Sequence, residues 1–266
     1  MIRMDALPER YRLILCDIWG VVHDGVSLYP GSAERLAQWR GEGRTVILIT
    51  NAPRTAEAVA AQLDRIGLPR DCWDGIETSG EAGIAALMAL GEPVGFLGTG
   101  ADRAILEGRG LELAESGFRH LAGVGLEPSR PAVVDYAAQL ESLQQQGVIF
   151  HCLNPDRIVM RGGVSEPCAG ALADVYLALG GEVVWYGKPH ETIYRHALNL
   201  GGNPPPEGVL AIGDSLQTDI LGAARMGFDA IFVTGGIHGG EPFPADFGPQ
   251  NGLGGWHPVA VVDSLG

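Results

Sequence analysis

Short apolar runs, each followed by an amphipathic stretch, recur along the chain, and this alternation constrains its fold more than any other feature. "RLILC" (12–16) reads as a strand, "GSAERLAQWRGEG" (31–43) as a helix with Ser32 as N-cap, and "TVILIT" (45–50) as a second strand. "RTAEAVAAQLDRIG" (54–67) then reads as a helix stopped by Gly67. Elements in this order close as right-handed parallel units, with few alternatives. The grammar returns late: strands at 182–187, 208–213, 229–235 and 259–263, and helices at 190–201 and 217–227. These strands are nearly continuous in apolar residues, as strands covered on both faces must be. The expectation is an α/β protein with a doubly wound parallel-sheet core.

Between the two blocks the chain repeats a strand–helix alternation of its own. "PVGFLGTG" (93–100), "PAVVDYA" (131–137) and "VIFHCLN" (148–154) read as strands, and "CAGALADVYLALGG" (168–181) as a helix. This middle part reads as a second α/β domain, residues 75–185, inserted into a discontinuous core of 1–74 and 186–266. With 266 residues, both have length enough for a buried core. Residues 235–257, rich in Gly and Pro, read as a long loop, which in a compact domain is either functional or poorly ordered.

Charge narrows the partners. Eighteen Lys and Arg against 32 Asp and Glu give a formal charge of −14, which disfavours a nucleic acid or an anionic membrane surface. A local lysine and backbone amides can still hold a small anion. Cys16, Cys72, Cys152 and Cys168 show no zinc-type spacing and read as thiols in a reducing compartment. His120, His151, His196, His238 and His257 have no metal-site spacing either and read as structural or surface residues. The first eleven residues carry no signal-like apolar run, and no segment reaches the roughly 20 apolar residues that span a bilayer. A cytoplasmic protein is expected.

Four strand ends assigned to the core finish in polar residues: Asp17, Thr50-Asn51, Lys188, and Asp214 with Asp219. Each alone reads as a turn or cap. Together they belong at the carboxyl edge of an open parallel sheet, where ligands bind. Three carboxylates without a His/Cys cluster suit Mg²⁺ better than zinc, and a lysine beside such an ion favours a phosphate oxyanion.

The segments "DIWGVVHDG", "LITNAPR", "YGKPHETIY" and "AIGDSLQTDILGAARMG" resemble the four motifs of the haloacid dehalogenase-like superfamily. The layout is similar to its class IIA, phosphatase-type branch, which carries a large α/β cap between the second and third motifs, and "NPDRIV" (154–159) matches a cap feature of the same relatives. The resemblance implies a Mg²⁺-dependent phosphatase acting on a small phosphorylated metabolite, a sugar phosphate or nucleotide-like compound. In it Asp17 is the nucleophile that forms an aspartyl-phosphate. Thr50 and the amide of Asn51 hold phosphate oxygens, and Lys188 neutralises charge. Asp17, the backbone carbonyl of Trp19, Asp214 and Asp219 surround the metal, with Asp219 a ligand or an anchor behind the ligands. The cap chooses the leaving group, with Asn154 and Asp156 facing it. Caps in similar proteins often help form homodimers.

Trp19 departs from the pattern, because these phosphatases usually carry there the Asp that protonates the leaving group. Indole cannot do so at neutral pH. General acid–base help is worth roughly 10²- to 10⁴-fold, so its loss slows turnover and spares metal and phosphate binding. Three readings follow. One is a phosphatase with an altered acid, His23 or Asp24, or with a leaving group that needs little protonation. Another is a haloacid dehalogenase, whose relatives carry an aromatic residue at this position but use no Mg²⁺ and lack the Asp214/Asp219 pattern. The third is a phosphometabolite-binding protein with little or no catalysis.

Overall fold

The computed structural model describes residues 3–161, 164–236 and 242–266. Its strands in chain order are β1 (Leu13–Asp17), β2 (Thr45–Thr50), β3 (Gly75–Thr78), β4 (Gly95–Leu97), β5 (His120–Gly123), β6 (Ile149–Cys152), β7 (Ile158–Arg161), β8 (Val164–Pro167), β9 (Glu182–Trp185), β10 (Val209–Gly213), β11 (Asp229–Val233) and β12 (Ala260–Val262). The longer helices are α1 (Ser32–Gly41), α2 (Ala56–Ile66), α3 (Ser79–Leu90), α4 (Gly100–Gly108), α5 (Ala137–Gln145), α6 (Ala169–Ala178) and α7 (Glu191–Leu200). The chain divides into two compact units. The first is Met1–Thr50, Ala56–Glu77 and Lys188–Gly266, and the second is Asn51–Thr55 and Thr78–Gly187.

The first unit is built on a six-stranded sheet in the order β12-β11-β10-β1-β2-β3. The β10–β1–β2 and β10–β11–β12 pairings are parallel. All residues of β1 and β10 are buried, because helices cover both faces and an apolar run can then be satisfied on either side. One face packs Leu13, Leu15, Ile47, Ile49, Val209 and Ala211 against Ile193, Tyr194 and Ala197 of α7. This is the expected α/β core.

The second unit holds a four-stranded parallel sheet in the order β4-β5-β6-β9, and the antiparallel hairpin β7–β8. It too is covered on both faces. Tyr136, Leu140, Phe150, Leu172 and Tyr176 pack on one face, and Ile84, Leu87, Leu106, Val124 and Leu153 on the other.

Several local expectations are corrected. Ser32 is the first helical residue of α1, not its cap; Gly31 takes that position, and the Ser32 hydroxyl donates to the Val22 carbonyl at 3.1 Å. Residues 131–137 form no strand. Val133–Tyr136 is a 3₁₀ turn closed by the Asp135 carboxylate accepting the Ala132 N–H at 3.1 Å, and Val134 is 75 % exposed, so the run has no face to bury. Residues 182–185, grouped by strand pattern with the late core block although they lie inside the 75–185 insert, pair with β6 in the second unit's sheet. Conversely, β3, past the sequence-based boundary at 75, joins the core sheet. Of the Gly/Pro-rich loop, residues 237–241 and with them His238 lie outside the described residues. Its remainder is folded: Phe243, Phe247 and Trp256 pack on the core beside Phe232.

Candidate active site

The site grows out of three parallel strands. β1 ends in Asp17, β2 in Thr50, and β10 is followed directly by Asp214, so three polar side chains collect where apolar runs stop. Register fixes their proximity: Asp17 lies opposite Ile49, one residue before Thr50. Asp219 arrives from a wider π-type turn, Leu216–Ile220, in which the N–H groups of Asp219 and Ile220 both reach the Ser215 carbonyl at 3.1 Å. A widened turn of this kind rotates a side chain off the regular helix path, and such turns concentrate at functional sites.

Lys188 ties the cluster together. Its Nζ donates to Asp17 Oδ1 at 2.6 Å and to Asp219 Oδ1 at 2.7 Å, and the side chain is 4 % exposed. The second oxygen of Asp219 accepts the Ser215 N–H at 3.2 Å, which fixes that carboxylate at both ends. Asp17 differs: among the described residues its carboxylate accepts only from Lys188, leaving Oδ2 uncommitted. Asp214 is held by shape. A Cβ on Gly20, whose φ is +81°, would stand 1.9 Å from Asp214 Oδ2, and one on Gly236 would stand 2.3 Å from the same atom. Only glycine fits at either position.

The electrostatics of this cluster are unbalanced. Asp17, Asp214 and Asp219 offer oxygens within 4.8 Å of one another, all three residues are buried, and one ammonium faces them. Burial and then Asp219 push the Asp17 carboxyl well above its ordinary value, against the pull of Lys188. Burial works against the Lys188 charge, but Asp17 and Asp219 outweigh it and hold the ammonium above its usual range. Both shifts report the same shortage of positive charge. Three carboxylates and one ammonium leave two net negative charges, the amount a divalent cation cancels, and an all-oxygen donor set selects a hard one. The residues present therefore fit Mg²⁺, with Asp17 and Asp214 placed to bind it and Asp219 committed to Lys188 and Ser215.

Asn51, Asn154 and Asp156 lie in the second unit. Asn51 Nδ2 donates to Asp156 Oδ1 at 2.8 Å, and the Asp156 N–H reaches Asn154 Oδ1 at 3.3 Å, so these three form one small polar group. The Ser79 hydroxyl sits within hydrogen-bond distance of the Asn51 and Leu153 carbonyls, at 2.7 and 2.6 Å, and anchors that group's backbone. Arg157, stacked over Trp185 and paired with Asp174 through two contacts of 2.9 and 2.8 Å, fixes the following residue.

Trp19 is half-buried, and His23 and Asp24 follow it in the same loop. His23 is 1 % exposed, its Nδ1 accepts the Gly25 N–H at 2.8 Å, and burial lowers its pKa. Asp24 Oδ1 accepts the N–H groups of Val26 and Ser27 at 2.8 and 2.7 Å, which keep its carboxyl below the usual range.

Sequence reasoning missed one buried group. In the second unit Glu92 Oε1, His120 and His151 join in a row, at 3.0 Å to His120 Nε2 and 2.8 Å between His120 Nδ1 and His151 Nε2. His151 Nδ1 continues it to the Tyr186 hydroxyl at 2.6 Å. Burial, then the nearby His120, pushes His151 down to about 4. No spacing announces this row, because β5–β6 register, Ala122 opposite His151, brings the rings together.

Residues 14–112 match the family model described as haloacid dehalogenase-like hydrolase, and residues 185–266 match one described as HAD-hydrolase-like. A solved hydrolase of the haloacid dehalogenase-like family from Brucella suis 1330 is 34% identical, with a TM-score of 0.85 and 99% of each chain covered. The ribonucleotide monophosphatase NagD of Escherichia coli K12 is 29% identical over 234 residues, 84% of this chain and 88% of its own. The glycerol-3-phosphate phosphatase of Homo sapiens is 29% identical over 265 residues, covering 88% of this chain and 82% of its own.

Proposed function

The chain belongs to the haloacid dehalogenase-like hydrolase family, and on that footing we propose that it is a phosphoric monoester hydrolase with Asp17 as nucleophile. The observation that carries this reading is the Asp17 carboxylate itself, held through Oδ1 by Lys188 while Oδ2 is uncommitted among the described residues. An anionic oxygen oriented by one buried ammonium, with its other oxygen available, suits attack on an electrophilic phosphorus. The activities named for the relatives, on nucleoside monophosphates and glycerol 3-phosphate, support a small phosphorylated metabolite as substrate.

Each residue of the cluster takes one task. Asp17 forms the bond to phosphorus and becomes an aspartyl-phosphate, which water then opens. Thr50 and the Asn51 amide hold non-bridging phosphate oxygens. Lys188 balances charge on the nucleophile and on the phosphoryl group as the leaving bond lengthens. Asp17, Asp214 and the Trp19 carbonyl, with Asp219 behind them, would hold Mg²⁺, which when bound would supply the remaining positive charge for the phosphoryl oxygens. The inserted unit acts as the cap that selects substrate, through Asn154 and Asp156. Among the described residues no helix is long and apolar enough to cross a membrane; the cytoplasm is our proposed location.

Phosphate release from an activated aryl phosphate, with and without Mg²⁺, tests the reading. Asp17→Asn should lower the rate by at least about 10³-fold, since the nucleophile is lost. A wild type no faster than Asp17→Asn overturns the hydrolase reading in favour of a binding protein.

A further inference from the structure

The loop between β1 and α1 makes a demand on the leaving group. Breaking a phosphate ester puts an electron pair on the leaving oxygen, and a poor leaving group such as an alkoxide needs a proton as it departs. The loop that carries Asp17 is the segment in which a donor would be expected; three of its candidates, Trp19, His23 and Asp24, are engaged elsewhere, and burial, with Asp24 and Asp214, holds the fourth, the Tyr29 phenol, above its ordinary range.

The Trp19 ring is packed edge-on against the His23 imidazole at 5.3 Å between centroids, and a Cβ on Gly25 would stand 2.3 Å from the indole's Cη2. The ring is folded back on its own loop, and its N–H is no acid at neutral pH. His23 spends Nδ1 on the Gly25 N–H, and its carbonyl accepts the Gly20 N–H at 3.0 Å, so the residue serves as an internal brace for the loop. Asp24 accepts the Val26 and Ser27 N–H groups on one oxygen, an arrangement that an ionised carboxylate makes and that leaves it no proton to give. In the cluster itself, Asp219 is occupied by Lys188 and Ser215.

We infer that this chain is selective for phosphate compounds whose leaving group departs as a stable anion: aryl or enol phosphates, acyl phosphates and phosphoanhydrides, rather than simple alkyl esters. The inference rests on the phosphatase reading above. In the first step an Asp17 oxygen bonds to phosphorus while the phosphorus–oxygen bond to the leaving group breaks, and the electron pair leaves with that oxygen as an unprotonated anion. In the second, water attacks the aspartyl-phosphate, Asp17 is released as carboxylate, and the water's surplus proton stays on the inorganic phosphate. Charge and atoms balance with no acid taken from the loop.

The test is kcat/KM of the full chain with saturating Mg²⁺ on a series of aryl phosphates whose phenols have pKa values from about 4 to about 10. An alkyl phosphate and acetyl phosphate are measured in parallel. The expected result is a steep series, at least about 10²-fold between its ends, since this is the smaller value of the missing acid. The alkyl ester should be slower still and acetyl phosphate near the fast end. Trp19→Asp should flatten the series by raising the poor substrates selectively. A series flat to within about threefold, with clear turnover, overturns the inference and leaves the phosphatase reading standing. A slope unchanged in a Trp19→Asp variant that still binds Mg²⁺ overturns it as well. No turnover on any compound overturns the phosphatase reading and this inference with it. Should Trp19→Asp fail to fold, the wild-type slope alone decides.

Discussion

Replacing Lys188 with methionine tests the charge balance at the centre of the molecule. Methionine keeps most of the volume and removes the ammonium that contacts Asp17 and Asp219 at 2.6 and 2.7 Å. At an effective dielectric of about 20, each contact contributes roughly 6 kcal/mol of gross attraction. Much of this is offset by the several kcal/mol needed to take the ammonium out of water. What remains is the cost of leaving buried carboxylates without their partner, about 3–5 kcal/mol. In chelator the variant should therefore unfold at lower urea, and its Tm should fall by roughly 6–20 °C. Saturating Mg²⁺ should shrink that deficit, because the ion supplies two of the three charges the variant lacks, and by linkage the variant should gain more stability from Mg²⁺ than wild type does. Urea denaturation of both proteins in chelator and in Mg²⁺ measures all four values. A deficit below about 1 kcal/mol in chelator, or one that Mg²⁺ leaves unchanged, would refute the argument that the cluster is short of positive charge.

Two further outcomes follow from single features. Gly20→Ala drives a Cβ to 1.9 Å from Asp214 Oδ2, whereas Gly43→Ala, at a nearly identical φ of +82°, meets nothing within 4 Å. Both should cost about 1–2 kcal/mol of backbone strain, but only Gly20→Ala should weaken Mg²⁺ binding, by about 10- to 100-fold in calorimetric titration; equal affinities would show that the cradle does not position Asp214. His151, 5 % exposed and with its pKa lowered from 6.5 to about 4, binds its proton more readily unfolded than folded. Its contribution is thus complete above pH 6.5 and is lost as pH falls toward 4, by about 1–2 kcal/mol once partial solvent screening is allowed for. His151→Asn should remove this part of the pH dependence in urea titrations, and an unaltered wild-type-minus-variant difference between pH 6.5 and 4 would disprove it.

Much of the core was readable from sequence because buried parallel strands announce themselves. β1, β2 and β10 need no alternation, and their apolar runs stop at the polar residues that form the site. The same signal cannot say which sheet a strand joins. "EVVW" is as apolar as a core strand, and only its pairing with β6 assigns it to the second unit. β3, with Ile76 its only large apolar residue, lies below what periodicity can detect. In the site, residue types showed which groups assemble, but not how each is committed. That Asp219 is held at both oxygens while Asp17 keeps one uncommitted depends on the π-type turn and on where Lys188 Nζ sits. The His120–His151 row was invisible for the reason that hid β9: it is a product of register, not of spacing.

The seams of the inserted unit bear on how such a protein can diversify. The chain passes between the units four times, after Thr50, Thr55, Glu77 and Gly187, and the outermost crossings are Thr50/Asn51 and Gly187/Lys188. A Cβ at Gly187 would meet the Asn51 side-chain oxygen at 2.5 Å and Pro155 Cγ at 2.4 Å, so the two ends are themselves tightly packed within the unit. An exchanged insert, Thr78–Gly187, must therefore be spliced directly before the bridging ammonium of Lys188 and must also seat the Asn51–Thr55 segment that follows Thr50. Any misfit at the second splice bears directly on Lys188. Recombination of whole inserts is constrained at both joints, whereas point changes inside the insert, distant in sequence from either joint, are not. New specificities on this scaffold should accumulate chiefly by substitution within the unit rather than by its replacement.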